Sequence, residues 1–308
     1  MINISERNTS TIALAGYSRQ RADVENFLSK DLFFIGSFPK SGATWLQVML
    51  NAHPEIGCVG EGHFTNHLAR LMREAVTRHN QQIHLRNQTV FQEFQPFPEI
   101  DDEQFRYLTV SAIALSLMRA GSIRDARVAG EKTPDNICYF DELENLFPHA
   151  KFLHVVRDGR DAAVSAWFHR LRTDPEGLLR EHADMESFVT HIAQGWAAVV
   201  EHGLAFGASR PGRCMVVRYR DLFARSHDTI KAVLAFLNVD ASETAVRRCI
   251  VGGAFEKISN GRPAGVENRS SFVRQGLPGD WFNHLSPEAN RGFLATAGGV
   301  MRRAGYQC

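Results

Sequence analysis

The chain has 308 residues, 44% of them apolar, and its 35 basic and 34 acidic side chains leave a formal charge of +1. That is material for one large α/β domain, or at most two. Such a balance speaks against nucleic acid or an acidic membrane surface as partner, so any anion must be met by a local pocket rather than a global field.

Taken in chain order, residues 1–30 read as an N-terminal arm or short helix. Leu32-Phe33-Phe34-Ile35 is a short apolar run ending at Gly36, as in a buried parallel strand. A Gly/Ser/Pro/Lys loop over 37–44 follows, and Trp45 to Leu50 opens a helix. From Phe64 to Ala120 the pattern is helical: Leu68, Leu71, Met72, Ala75 and Val76 recur at three- and four-residue spacing. Asp101 or Asp102 caps a second helix carrying Phe105, Leu108 and Ile113, and Pro96 and Pro98 mark the connection between the two. Strands are expected at Arg127–Ala129, Lys151–Val156 and Met215–Val217. Helices are expected through 162–168, 185–206, 226–237, 242–252 and from about Pro287 onward. Residues 256–280, rich in Gly, Ser, Asn and Arg, read as a lid loop.

Strands alternating with helices predict a P-loop-like three-layer sandwich, a central parallel sheet flanked by helices, spanning 1–308 as a single domain. In that architecture ligands sit at the carboxyl ends of the strands. The five cysteines (Cys58, Cys138, Cys214, Cys249 and Cys308) show no CxxC spacing. They read as reduced thiols of a cytoplasmic protein, with no metal site implied. The polar stretch 1–20 lacks the apolar core of a signal peptide, and no run of 18 apolar residues suggests a membrane span.

Three constellations carry chemistry. Phe38-Pro39-Lys40-Ser41-Gly42-Ala43-Thr44-Trp45 places a loop at a helix N-terminus, where free N–H groups and the positive dipole end favour an anion. Gly42 permits close backbone approach, Lys40 adds a charge, and Ser41 and Thr44 add hydroxyls. Lysine precedes Ser-Gly here, so the order is not that of a Walker A loop. In Val155-Val156-Arg157-Asp158-Gly159-Arg160-Asp161, Arg157 leaves a strand end, and Ser165 lies two turns into the next helix. A guanidinium and a hydroxyl so spaced suit a phosphate, although the adjacent Asp158, Arg160 and Asp161 also fit a plain ion-pair network. The third is Arg274-Gln275-Gly276-Leu277-Pro278-Gly279-Asp280-Trp281, which read alone is a loop with one arginine.

Together, in this order and separation, these motifs resemble those of the sulfotransferases that use 3′-phosphoadenosine 5′-phosphosulfate (PAPS). Pro39–Trp45 is similar to that family's 5′-phosphosulfate loop, Pro-Lys-Ser-Gly-Thr-Thr-Trp. Arg157 and Ser165 have the spacing of its 3′-phosphate motif, and the 274–281 run is similar to Arg-Lys-Gly-x-x-Gly-Asp-Trp. The resemblance implies that the amides of Ser41, Gly42, Ala43 and Thr44 hold the 5′-phosphosulfate and that Lys40 neutralises charge on the bridging oxygen as the S–O bond breaks. It implies that Trp45 and Phe255 stack on adenine, that Tyr219 touches its edge, and that Arg157, Ser165, Arg274, Gln275 and Gly276 hold the 3′-phosphate. Ala43 stands where the family has threonine, and Gln275 where it has lysine. PAPS is then the co-substrate and PAP the product, with no metal.

The proton acceptor is the open part. The histidine of the cytosolic branch's Lys-Thr-His is replaced here by Glu131-Lys132-Thr133-Pro134. The run His53-Pro54-Glu55-Ile56-Gly57-Cys58-Val59-Gly60-Glu61 resembles the tyrosylprotein branch and sets Glu61 on its base, with Lys132 as helper lysine. The heparan-type branch would instead make Glu131 the base, and His63 is a third candidate. Glu61 is favoured, on the expectation that it sits at the start of a helix facing Lys40. The expected reaction is in-line sulfuryl transfer to a hydroxyl or amine of a small-molecule acceptor shaped by segment 64–120, in a monomer or homodimer without nucleic-acid or membrane partners. The competing classes are a P-loop small-molecule kinase and a catalytically silent nucleotide-binding protein.

Overall fold

The structure, a computed structural model, describes residues 4–308. Its sheet has five parallel strands: β1 (Asp31–Ser37), β2 (Ile56–Gly60), β3 (Val128–Lys132), β4 (Lys151–Val156) and β5 (Cys214–Arg218), in the order β2-β3-β1-β4-β5. Helix α1 (Ile4–Leu28) precedes β1, and α2 (Ala43–Asn51) joins β1 to β2. A π-helical turn (Phe64–Ala69), α3 (Arg70–Thr89), α4 (Asp102–Leu117) and α5 (Gly121–Asp125) fill the excursion from β2 to β3. A 3₁₀ turn (Pro134–Tyr139) and α6 (Phe140–Leu146) lead to β4, and α7 (Gly159–Thr173), α8 (Pro175–Glu181) and α9 (Met185–Ser209) lead to β5. Helices α10 (Tyr219–Ala224), α11 (Ser226–Phe236), α12 (Glu243–Gly252), the single turn α13 (Phe255–Ile258) and α14 (Pro287–Arg303) follow.

The strands are apolar on both faces because helices cover both. Along β1, Phe33 and Ile35 pack with Leu46 and Leu50 of α2, Val233 and Leu234 of α11, and Val246 of α12. Phe34, one residue out of phase, faces the opposite layer with Phe27 of α1, Ile113 and Leu117 of α4, and Phe140 of α6. A third cluster joins Ala163 and Trp167 of α7 to Trp196 of α9 and Phe293 of α14. Truncating a fully buried aromatic such as Phe152 would cost about 3–5 kcal/mol.

The short helices α5, α6, α8 and α10 have no counterpart in the sequence expectation, and two further elements differ from it. The segment before β1 is one 25-residue helix rather than an arm or short helix; its Val24 and Phe27 join the core beside α4, which holds the helix in place. The strand β2 has no counterpart in that expectation, because Ile-Gly-Cys-Val-Gly is short and two-fifths glycine. Among the described residues it is an edge strand paired only with β3. On its open side the Asn51 side chain replaces a neighbour: Oδ1 accepts from the Cys58 N–H at 2.7 Å and Nδ2 donates to the Cys58 carbonyl at 2.8 Å.

The chain leaves β1 for β2 and β3 on one side of the sheet, then crosses to β4 and β5 on the other. A crevice therefore opens at the carboxyl end of β1, the place where such sheets bind ligands.

Candidate active site

The loop from β1 to α2 lies in that crevice. Lys40 (φ +66°) and Gly42 (φ +97°) both take the left-handed conformation, which folds the loop back over the helix start. At Gly42 a Cβ would stand 2.5 Å from the Tyr219 ring, so only glycine fits. Tyr219 lies tilted against Trp45 with ring centroids 5.4 Å apart, and Trp45 Nε1 donates to the Gly253 carbonyl at 2.7 Å, two residues ahead of Phe255. Gly276 (φ +77°) lies against the Phe255 ring, where a Cβ would come within 2.2 Å. The three regions that sequence assigned to adenine and phosphates thus meet.

Arg157, at the end of β4, donates to the carbonyls of Lys40 and Leu277, each at 3.2 Å, and lies over the Tyr219 ring at 4.5 Å. It ties the first motif to the third. Asp161 completes the tie, accepting from the N–H groups of Gly279 at 2.7 Å and Trp281 at 3.1 Å. The neighbouring Arg160 is turned away and forks onto Asp158 at 2.7 and 3.0 Å, so the ion-pair network and the phosphate-type arginine coexist in one motif. Arg274 pairs with Glu267 and Asp280 and covers the Phe168 ring. With its amide nitrogen turned toward Asp280, Gln275 donates to that carboxylate at 2.8 and 2.9 Å. A narrow cavity brings Lys40, Ser165 and Arg274 together beneath Phe272. A larger cleft of about 220 Å³ lies between Arg157 and Tyr306; Arg160, on its wall, is already paired.

One polar atom from each motif is buried without a hydrogen-bond partner among the described residues: Ser41 Oγ, Arg157 Nε and Arg274 Nε. Burying such donors unpaired costs about 1–3 kcal/mol each, so their convergence fits a polar, anionic ligand. Burial, then Arg172 and Arg157, pushes the Lys40 ammonium down to about 8, with Glu61 opposing them.

The candidate bases separate clearly. Glu61 follows the last residue of β2 instead of standing at a helix start, because Ile56–Gly60 is a strand. Its side chain is 47% exposed and accepts from Lys132 Nζ at 2.6 Å. Glu131 is 1% exposed, and its oxygens accept from the Gly62 N–H at 2.9 Å, Thr133 Oγ1 at 2.6 Å and Asn136 Nδ2 at 2.7 Å. Burial raises its pKa, and those same donors work against the rise. His63 lies 4.0 Å from Glu61, stacks on His67 and meets Asn66 Nδ2 through Nδ1 at 3.1 Å.

Sequence reasoning missed Arg172, His169 and Phe272. Phe272 lies 4.1 Å over the Lys40 ammonium, and His169, held below its usual pKa by burial and by Lys40, packs edge-on against Phe272. The only available signal was their position, Arg172 and His169 near the end of α7 and Phe272 two residues before Arg274. No cluster of metal-ligating side chains occurs among the described residues, and no helix among them is long and apolar enough to cross a membrane.

A sequence model described as the sulfotransferase family matches residues 32–243, more than half of the chain. Protein-tyrosine sulfotransferase 2 of Gallus gallus is 28% identical over 281 residues, 86% of this chain and 70% of that protein. The protein-tyrosine sulfotransferase of Drosophila melanogaster is 26% identical over 276 residues, 82% of this chain but only 49% of the relative's length. Among solved structures, mouse sulfotransferase SULT7A1 complexed with PAP superposes with a TM-score of 0.54 at 18% identity, covering 90% of this chain and 85% of that one, a likeness of fold. The chain belongs to the sulfotransferase family, and with all three motifs gathered beside the ends of β1 and β4 it is a PAPS-dependent sulfotransferase.

Proposed function

We propose that this enzyme moves the sulfuryl group to a phenolic hydroxyl, with Glu61 as the proton acceptor. PAPS, when bound, supplies the sulfuryl group and a bisphosphate leaving group. The amides of Ser41, Gly42, Ala43 and Thr44 face the 5′-phosphosulfate, and the unpaired Ser41 hydroxyl supplies a further donor. Arg157, Ser165, Arg274 and the Gly276 amide take the 3′-phosphate, with the Gln275 amide beside them. Trp45, Phe255 and Tyr219 frame the adenine. Lys40 and Lys132 stabilise the charge that develops as the S–O bond breaks, and such electrostatic stabilisation dominates most group transfers of this kind. Glu61 takes the acceptor's proton.

The observation that carries the choice of base is the contrast in exposure. Glu61 is exposed, near enough to Lys40 for its charge to act there, and bound to Lys132 at 2.6 Å, whereas Glu131 is sealed and its oxygens are engaged. The phenolic acceptor rests on two relatives named for protein tyrosine, and a small phenol or a tyrosine side chain meets the same chemistry. The single-domain organisation, with 64–120 on the acceptor side and 256–280 as a lid, belongs to this reading. So does a cytoplasmic location, in keeping with five unpaired cysteines.

Radiolabelled PAPS with a panel of p-nitrophenol, a tyrosine peptide, an aliphatic alcohol and an amine tests it. The expected result is sulfation of the phenols and a fall in kcat of about 10²–10⁴-fold in Glu61→Gln, with PAP binding retained. Full activity in Glu61→Gln, or transfer to the amine or alcohol in preference to both phenols, overturns it.

A further inference from the structure

The end of β3 grips three consecutive residues where the chain leaves β2. Lys132 holds the Glu61 side chain at 2.6 Å, and Glu131 accepts from the Gly62 N–H at 2.9 Å. Thr133 Oγ1 donates to Glu131 at 2.6 Å and accepts from the His63 N–H at 3.4 Å. The other oxygen of Glu131 accepts from Asn136 Nδ2 at 2.7 Å, and that amide also reaches the Ile35 carbonyl of β1 at 3.3 Å. One buried carboxylate therefore links the ends of β1 and β2 to the 3₁₀ turn after β3.

The bend it secures is one the chain does not favour. His63 has φ +50° and ψ +40°, left-handed values that cost a residue with a Cβ about 1–2 kcal/mol. Strand β2 has a single ladder partner, so the sheet alone does not fix what lies beyond Gly60. Without the grip at Gly62 and His63, Glu61 would keep its attraction to Lys132 but lose a defined approach to it.

We propose that Glu131 is a positioning residue for sulfuryl transfer: it clamps the Gly62 amide and, through Thr133, the His63 amide, and so aims the Glu61 carboxylate into the cleft. The inference rests on the reading of Glu61 as base. It gives Glu131 a part in turnover without a proton to accept.

The test is a double-mutant cycle on the full chain. Glu131→Gln keeps the shape but is a weaker, neutral acceptor, and its NH₂ must face either the Gly62 donor or the Asn136 donor, so the clamp loosens. The expected result is a kcat lowered about 10- to 100-fold, as for a misaimed group, with the PAP dissociation constant within about twofold of wild type. In a Glu61→Gln background the same change should cost less than about threefold, since two residues acting through one carboxylate do not add. Thr133→Val should lower kcat more mildly, and Thr133→Ser should restore it, which keeps the test alive if Glu131→Gln fails to fold. Additive losses in the double variant, or full kcat in both Glu131→Gln and Thr133→Val while Glu61→Gln is inactive, overturn the positioning role alone. An active Glu61→Gln overturns the base assignment, and the positioning role with it.

Discussion

The two sides of the cleft are built in opposite ways. The donor side gathers at the ends of β1 and β4, with Arg274 brought in by the loop after α13: Ser41, Arg157 and Arg274 are enclosed, cross-linked by Asp161 and Asp280, and left with one unpaired polar atom each. The side we propose for the acceptor includes α3, a 20-residue helix none of whose side chains is buried, and a loop that exposes Phe91, Phe94 and Phe97. A ligand of fixed shape and high charge rewards donors that are already in place and need no reorganisation at the moment of reaction. On the proposed reading an acceptor only has to be brought near Glu61, and a lightly anchored wall is enough for that.

On that division, the largest effect belongs to the donor side. Lys40→Ala should lower kcat by about 10³-fold, roughly 4 kcal/mol of transition-state stabilisation, with the melting temperature little changed. Turnover surviving that change would break the assignment of charge stabilisation to this loop.

A smaller effect concerns protons. With its pKa in the free enzyme lowered to about 8, chiefly by burial and then by Arg172 and Arg157, Lys40 loses its charge as pH rises through 8. PAP binding should then weaken by up to about tenfold per pH unit above 8 and should take up a proton, because the anion favours the ammonium. Calorimetry in buffers of different ionisation heats reads that uptake, and a pH-independent affinity between about 7.5 and 9.5 would sharpen the picture toward backbone amides as the main holders. The stability linkage has the opposite sign to a salt-bridged lysine. The folded pKa lies below the unfolded one, so the unfolded chain binds more protons between about 8 and 10.5, and this group's contribution to stability rises with pH across that window.

The smallest effect lies on the acceptor side. Phe94→Ser and Phe97→Ser remove exposed rings and should leave stability within about 0.5 kcal/mol and the KM for PAPS unchanged, while the acceptor KM moves several-fold. A shift in the PAPS KM would erase the distinction between the two sides.

The donor half was legible in the sequence because its signals are local. A lysine, a serine and a glycine in one loop, or an arginine eight residues before a serine, carry their geometry with them once a strand and a helix flank them. The base was harder to read. Glu131 and Lys132 are neighbours on a strand, so their side chains leave on opposite faces, and only the register against β1 and β2 decides which one meets the cleft. That register needed β2, whose two glycines hid it and whose pairing partner lies some seventy residues away. Arg172 and His169 were invisible for a related reason: on the exposed end of α7 nothing local distinguishes a residue near Lys40 from one in solvent.

The outermost place of β2 has a consequence for how such enzymes diversify. The strand that leads to Glu61, the proton acceptor proposed above, touches the rest of the sheet along one side only, while the loops proposed to hold the nucleotide follow β1 and β4 in the interior. Insertions, slips or exchanges of residues at that margin can relocate the acidic group without disturbing nucleotide recognition. A single donor platform can in this way be fitted with different proton acceptors, and hence with different acceptor chemistries, by rewriting a few positions at its rim.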